Sequence, residues 1–325
     1  MGNPTRSAVH VSAALTNVAV AWRMDNPGVA SQVFPVVPVS KSIDAYHIWD
    51  LDDILRREAK IRAPGSESAG SGVRITNTTY QTHKFALHHD MPWDTEEEAD
   101  ESVMYEANMT QYLMANVTRQ AEFEWAAKNF VAGVWGTDKE GAADADFVQW
   151  QKTTSDPIVN IRAFKRLVQK RTGYKVNTAT FGADVWDTLL DHPDMIDRVK
   201  ATGSPSPGVI TMQLVAEIME LDRVFVADMV HSTSEEQAAT ATTAFIVNPR
   251  GILLAYAAPS PSREIPSAGY TFSRKGRTVP NGGTGVSVNR FELEKNEATR
   301  IEAQGEWDHK IVAPELGLFM DNVIA

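Results

Sequence analysis

Apolar residues return at intervals of three, four or seven along the middle of the first half of the chain. Val103, Ala107, Met114, Val117, Ala121 and Trp125 fall on one face at that spacing, which predicts a single long helix from Thr95 to about Phe130. A second line, Met109, Tyr112, Phe123 and Phe130, widens the stripe. Asp94 or Thr95 is placed to cap the start, with Glu97 or Glu98 three residues on, and Gly133 to stop the helix. At the usual rise per residue it would run roughly 50 Å, so the rest of the chain is expected to hang from it.

Ahead of the helix the pattern changes twice. Residues 1 to about 45 carry Val18, Val20, Trp22, Val33, Phe34, Val36, Val37 and Val39, but Pro27, Pro35 and Pro38 interrupt any regular element. Such an arm cannot bury its own apolar side chains, so it needs another surface, either the rest of this chain or a neighbour. From Tyr46 to Asp90 two extended flanks enclose a small-residue tip, Pro64 to Gly72, and the second flank from Val73 to Leu87 has strand composition. This reads as a long hairpin. Asp52 to Arg62 also permits a short helix at its base, and spacing leaves both readings open.

Behind the helix, Thr137 to Asp156 reads as a polar loop. Asn160 is placed to cap a helix with Ile161, Phe164, Leu167 and Val168 as its stripe, ending at Gly173. A strand at Val176–Phe181, a helix from Asp184 broken at His192-Pro193, a helix from Thr211 through Met219, and strands at Arg223–Ala227, Ala244–Val247 and Ile252–Ala257 predict a second, mixed α/β lobe. Pro259 to Gly285 reads as an exposed excursion. Strands at Val286–Leu293 and Thr299–Gln304, followed by an apolar C-terminus, are expected to return to the long helix and complete the first lobe.

Composition narrows the function classes. With 325 residues, 43% of them hydrophobic, the chain can build two modest cores, and no run approaches the length of a membrane span. The first residues lack a signal-peptide pattern, so export is not expected. Cysteine is absent, which removes disulfides, thiolate nucleophiles and cysteine metal sites. A formal net charge of -11 argues against broad binding of nucleic acid through its phosphates. His88, His89 and Asp90 are the densest candidate metal ligands, yet adjacent strand residues point to opposite faces. Gly282 to Gly285 lacks the Lys and Ser/Thr of a phosphate loop, and no serine sits in a nucleophile elbow. No enzyme reading, catalytic residue or cofactor emerges.

The order of arm, small-tipped hairpin, long helix, α/β lobe and return resembles the major capsid protein of tailed bacteriophages. So do particular strings: Leu15 to Ala21 and Val33 to Val39 in the arm, Arg62-Ala63-Pro64-Gly65 at the tip, and Gly182 to Trp186 followed by His192-Pro193-Asp194. The resemblance implies an α+β fold with an N-arm at 1–45, an E-loop hairpin at 46–92, a P-domain with its spine helix at 93–155, a mixed α/β A-domain at 156–287, and a return to the P-domain at 288–325. It implies a non-enzymatic coat protein that assembles with itself into pentamers and hexamers of an icosahedral head. That head would enclose double-stranded DNA without sequence-specific binding, in the virion and after assembly in the bacterial cytoplasm. A separate scaffolding protein, a portal and a decoration protein are the implied partners, and no membrane is. The arm starts almost at Met1, which favours a separate scaffold, and no lysine lies between Lys60 and Lys84 for a crosslink. Contacts between subunits are expected at Val36, Val37, Val39, Arg57, Arg62, Arg74, Glu97 and Glu98. The alternatives are an encapsulin-like compartment around cargo enzymes, and, in another class, a metal-dependent hydrolase using His88 or His89.

Overall fold

A computed structural model describes residues 28–49, 51–97, 105–142, 145–201, 210–234, 242–261, 265–274 and 286–325. Val103, Glu98, the Leu15–Ala21 string and the Gly282–Gly285 cluster lie outside them. In chain order the elements are β1 (Val36–Val39), β2 (Ile43–Trp49), α1 (Leu51–Leu55), β3 (Ile75–Gln81), β4 (His83–Pro92), α2 (Trp93–Glu97) and α3 (Tyr105–Asn129). Then come β5 (Asp138–Glu140), α4 (Pro157–Thr172), β6 (Thr178–Gly182), α5 (Ala183–Leu190), α6 (Pro193–Ala201) and α7 (Met212–Met219). The remainder is strand: β7 (Arg223–Ala227), β8 (Val230–Ser232), β9 (Thr243–Phe245), β10 (Ile252–Ala255), β11 (Gly269–Arg274), β12 (Ser287–Leu293), β13 (Ala298–Ile311) and β14 (Gly317–Asp321).

The first lobe is a sheet built around β13. Along one side β4 pairs with it from Ala298↔Pro92 to Trp307↔His83. The other side is shared end to end by β12, from Ser287↔Gln304 to Leu293↔Ala298, and by β11, from Gly269↔Ile311 to Ser273↔Trp307. β1 adds to β11 in parallel. Trp307 lies flat over Gly305, where an added Cβ would stand 2.0 Å from the indole, and it stacks on Phe85 at 5.0 Å. Only a glycine leaves room for that ring.

α3 packs on this sheet, and its buried side is rotated from the sequence stripe. Val117 and Trp125 are buried, and Ala121 packs at the edge of the core. Met114, by contrast, is 38% exposed and Ala107 is exposed; the buried neighbour of Val117 is Leu113, one helical turn earlier. Val117 and Leu113 are four apart and so superimpose along the axis, whereas Met114 sits about 100° further round. The buried line continues through Glu122, Ala126 and Asn129, polar positions that a purely apolar stripe passes over. As described, α3 spans about 37 Å, with α2 at Trp93–Glu97 ahead of it in the chain and Gly133 in the turn that follows rather than at its cap.

The second lobe is a sheet in the order β5-β14-β10-β6-β7, with α4 to α7 around it. Both faces of its central strands are buried. Ile252 and Leu254 of β10 and Leu318 and Met320 of β14 face Ile161, Phe164 and Val168 of α4. Leu253, Ala255 and Phe319 face the other way, toward the end of α3 and the arm. Burial on both sides explains the unbroken apolar runs in these strands. α4 is capped by Asp156, which accepts from Val159 N–H at 3.0 Å, so Asn160 lies inside the helix; Leu167 is exposed, and Gly173 closes the end at φ +79°. Thr211 caps α7 through Leu214 N–H. The C-terminus differs most from expectation. β12 and β13 join the first sheet, but β14 is an inner strand of the second, and β11, from the stretch assigned to the second lobe, belongs to the first.

His309 of β13 is buried beside Thr271 Oγ1, 3.0 Å from its Nδ1. Burial, and then Lys128, push its pKa from 6.5 down to about 3. Between those values the unfolded chain binds a proton that the native state refuses, so His309 contributes stability above pH 6.5 that is lost as the pH falls toward about 3. His309→Gln is expected to flatten this acid limb in urea-unfolding midpoints measured against pH. An unchanged limb would assign acid sensitivity elsewhere.

Candidate assembly surfaces

The hairpin is a two-stranded ribbon mounted on the first sheet. β2 and β3 pair antiparallel from Ile43↔Gln81 to Trp49↔Ile75. At its foot Tyr80 stacks on Phe272 of β11 at 4.5 Å, and Tyr46 packs on the same ring at 5.4 Å. Two carboxylates of β13 fasten it there. Asp308 Oδ2 accepts Gln81 N–H at 3.1 Å while its Oδ1 accepts Lys128 Nζ at 3.0 Å, and Glu306 accepts the Thr82 hydroxyl at 2.8 Å.

The far half is held by one buried acid. Asp53, in α1, accepts both the backbone N–H and Nε of Arg74 at 2.9 Å, and the guanidinium of Arg56. These bonds, Arg74 first, pull its carboxyl down to about 2. The sequence left the base of the first flank undecided between strand and helix; the structure has a one-turn helix at Leu51–Leu55 that supplies Asp53. Beyond this clasp the chain is open to solvent from Ala59 to Arg74, and Leu55, Ile61, Val73 and Ile75 are exposed apolar side chains. Asp53→Ala is expected to remove the acceptor that Arg56 and Arg74 share and to raise protease cleavage between residues 56 and 74 several-fold without changing the far-UV spectrum. Unaltered cleavage would mean that the loop is held some other way.

Of the residues expected between subunits, Val36, Val37 and Val39 form β1 on the chain's own β11, with Val37 and Val39 against the Tyr80–Phe272 cluster. Arg74 belongs to the Asp53 clasp. Arg57 is exposed, Arg62 is exposed with its Nε on Ser66 O at 2.5 Å, and Glu97 is exposed. Glu97 lines a shallow cleft with Trp93, Arg290, Glu292 and Thr299. On α3 the outward side shows Tyr112 and Met114.

His88 and His89 do not converge. They pair with Glu302 and Ile301 on successive rungs, Asp90 is engaged by both guanidinium arms of Arg300 at 2.6 and 2.8 Å, and no three His, Asp or Glu side chains gather as a metal site among the described residues. Sequence reasoning missed Asp53, Glu122 and Asp308. Glu122 alone had a signal, a carboxylate between Ala121 and Trp125 on an otherwise apolar side.

A family model described as phage major capsid protein E matches residues 108–269. The major capsid protein of Burkholderia phage BcepMu is 22% identical over 295 residues, covering 88% of this chain and 90% of that one. Among solved structures, a phage-related protein from Bordetella bronchiseptica RB50 has a TM-score of 0.67 at 16% identity, over 93% of this chain and 94% of the other. The mature capsid of bacteriophage PhiM1 has a TM-score of 0.56 at 10% identity, over 94% and 89%.

Proposed function

Because this chain belongs to the major capsid proteins of tailed phages, we propose that its hairpin is the part that joins one copy to the next, in pentamers and hexamers of an icosahedral head around double-stranded DNA. It is a structural protein of the virion that assembles with itself into a shell, not an enzyme. Neither a cargo compartment nor a hydrolase centred on His88 or His89 finds support.

The observation that carries the proposal is the hairpin, fastened firmly at its foot and bare beyond Asp53. A monomer gains nothing from displaying Leu55, Ile61, Val73 and Ile75 on a ribbon held away from its core, whereas a repeated contact around closed symmetry would bury them. Residues 46–92 then act as the E-loop, 1–45 as the N-arm and 93–155 as the spine-bearing part of the P-domain, whose sheet β11, β12 and β13 complete, while the A-domain takes the rest of 156–287 together with β14. Arg57 and Arg62 on the loop are opposite in sign to Glu97 and Glu98, which precede the long helix in the chain, and their meeting between copies is the contact proposed. The acidic chain suits a container whose wall does not grip DNA. A separate scaffolding protein, a portal, a decoration protein and assembly in the host cytoplasm complete the reading.

Each surface pair contributes about 0 to 1 kcal/mol, but the sum over a shell decides assembly. Arg57→Glu with Arg62→Glu is expected to abolish shells in electron micrographs at low salt, with recovery at high salt or on adding Glu97→Lys and Glu98→Lys. Normal shells from the double arginine variant at low salt would remove the contact.

A further inference from the structure

The arm reaches the long helix over a single carboxylate. Glu122 is 1% exposed, and its Oε2 accepts the N–H groups of Val29 and Ala30, both at 2.9 Å. Gly28 precedes them at φ +76°, so close that an added Cβ would stand 2.6 Å from that oxygen. Val33 and Phe34 then enter a pocket with Trp125, Ala126 and Trp135. An apolar plug and one acid therefore hold the root.

The charged groups around Glu122 do not fix its charge. Asp228, between β7 and β8, is of like sign. His231 of β8 packs edge-on against Phe123 rather than on the carboxylate. On α3 itself, Arg119 donates to Asn116, and Lys128 is engaged by Glu124 and Asp308.

We propose that Glu122 is a proton-controlled clasp for the arm root, which lies on the helix while the carboxyl is neutral and lets go as it ionises. Burial pushes this carboxyl up to about 7 against the pull of the two N–H groups, and Asp228 adds to the rise. With the root lifted, water would return the group toward its ordinary 4.5. The sign follows from linkage: docking is strongest below the ordinary carboxylate range and weakens as the pH climbs through about 7. A difference of this size corresponds to a loss of up to roughly three-hundredfold in the docking equilibrium. The clasp is internal to one chain, so its test is independent of the contacts proposed between copies.

Hydrogen exchange of the full-length protein, corrected for intrinsic rates, reads the clasp at Val29 and Ala30. Their protection is expected to fall between about pH 5.5 and about pH 8.5, while amides of β13 stay protected. Glu122→Gln, which still offers an acceptor but cannot ionise, is expected to keep the root protected at both values. Asp228→Asn is expected to shift the wild-type transition to lower pH than in the parent. Root protection that is flat with pH in the wild-type protein, or a fall in Glu122→Gln that matches the wild type, would overturn the proposal. If Glu122→Gln does not fold, the wild-type profile and the Asp228→Asn shift decide it.

Discussion

An aspartate in place of Val117 is expected to leave no soluble, folded subunit. Val117 is 3% exposed and packs among Met91, Leu113, Ile301, Ala303 and Trp307, none of which carries a positive charge. An uncompensated buried charge costs several kcal/mol, comparable with the roughly 5–15 kcal/mol that holds a whole domain together. Met114→Asp supplies the control. It carries the same charge on the same helix at a position that faces solvent, and the protein is expected to remain soluble with a melting temperature within a few degrees of the parent. Soluble Val117→Asp with parental melting would place the sheet on another side of α3.

Truncation of the arm is expected to have two outcomes set by where the cut falls. Removing residues 1–40 takes away β1 and the plug of Val29, Ala30, Val33 and Phe34, uncovers Trp125 and Trp135, and leaves Glu122 without its two backbone donors. Burying a side chain such as valine or phenylalanine contributes about 1.5–3 kcal/mol, so three of the four together rival the net stability of the fold. Aggregated protein is expected, not free capsomers. Removing residues 1–27 spares all of these contacts and is expected to give folded subunits by circular dichroism, whose yield of shells then reports on the residues removed. Folded, monodisperse protein from the longer truncation would show that the plug is dispensable.

Much of this architecture was legible in the chain because local signals and tertiary packing agree there. Arg223–Ala227 is a strand within the bounds read from its composition, Thr211 caps the helix it precedes, and His192-Pro193 separates two helices because Pro193 can begin one but not continue one. Errors arose where two readings satisfy the same local rule. Asp156 and Asn160 are both good caps, and the choice fell to Pro157, which suits the first turn. Met114 and Leu113 both fit helical spacing, and only the sheet beneath decides which faces inward. The clasp acids were harder to see, since Asp53 and Asp308 act on partners 21 and 227 residues away. The placement of β14 in the second sheet rests on pairing with β10, and an apolar C-terminus alone does not say which sheet it joins.

Asp308 is where the hairpin and the long helix share a fastening. One of its oxygens holds Gln81 at the foot of the ribbon and the other holds Lys128 in the last turn of α3. Charge-assisted bonds of this kind are stronger than neutral ones. The ribbon is thus a cantilever with its anchor bolt in the spine, and a sideways load at the tip is delivered as torque to the helix end next to the arm's plug.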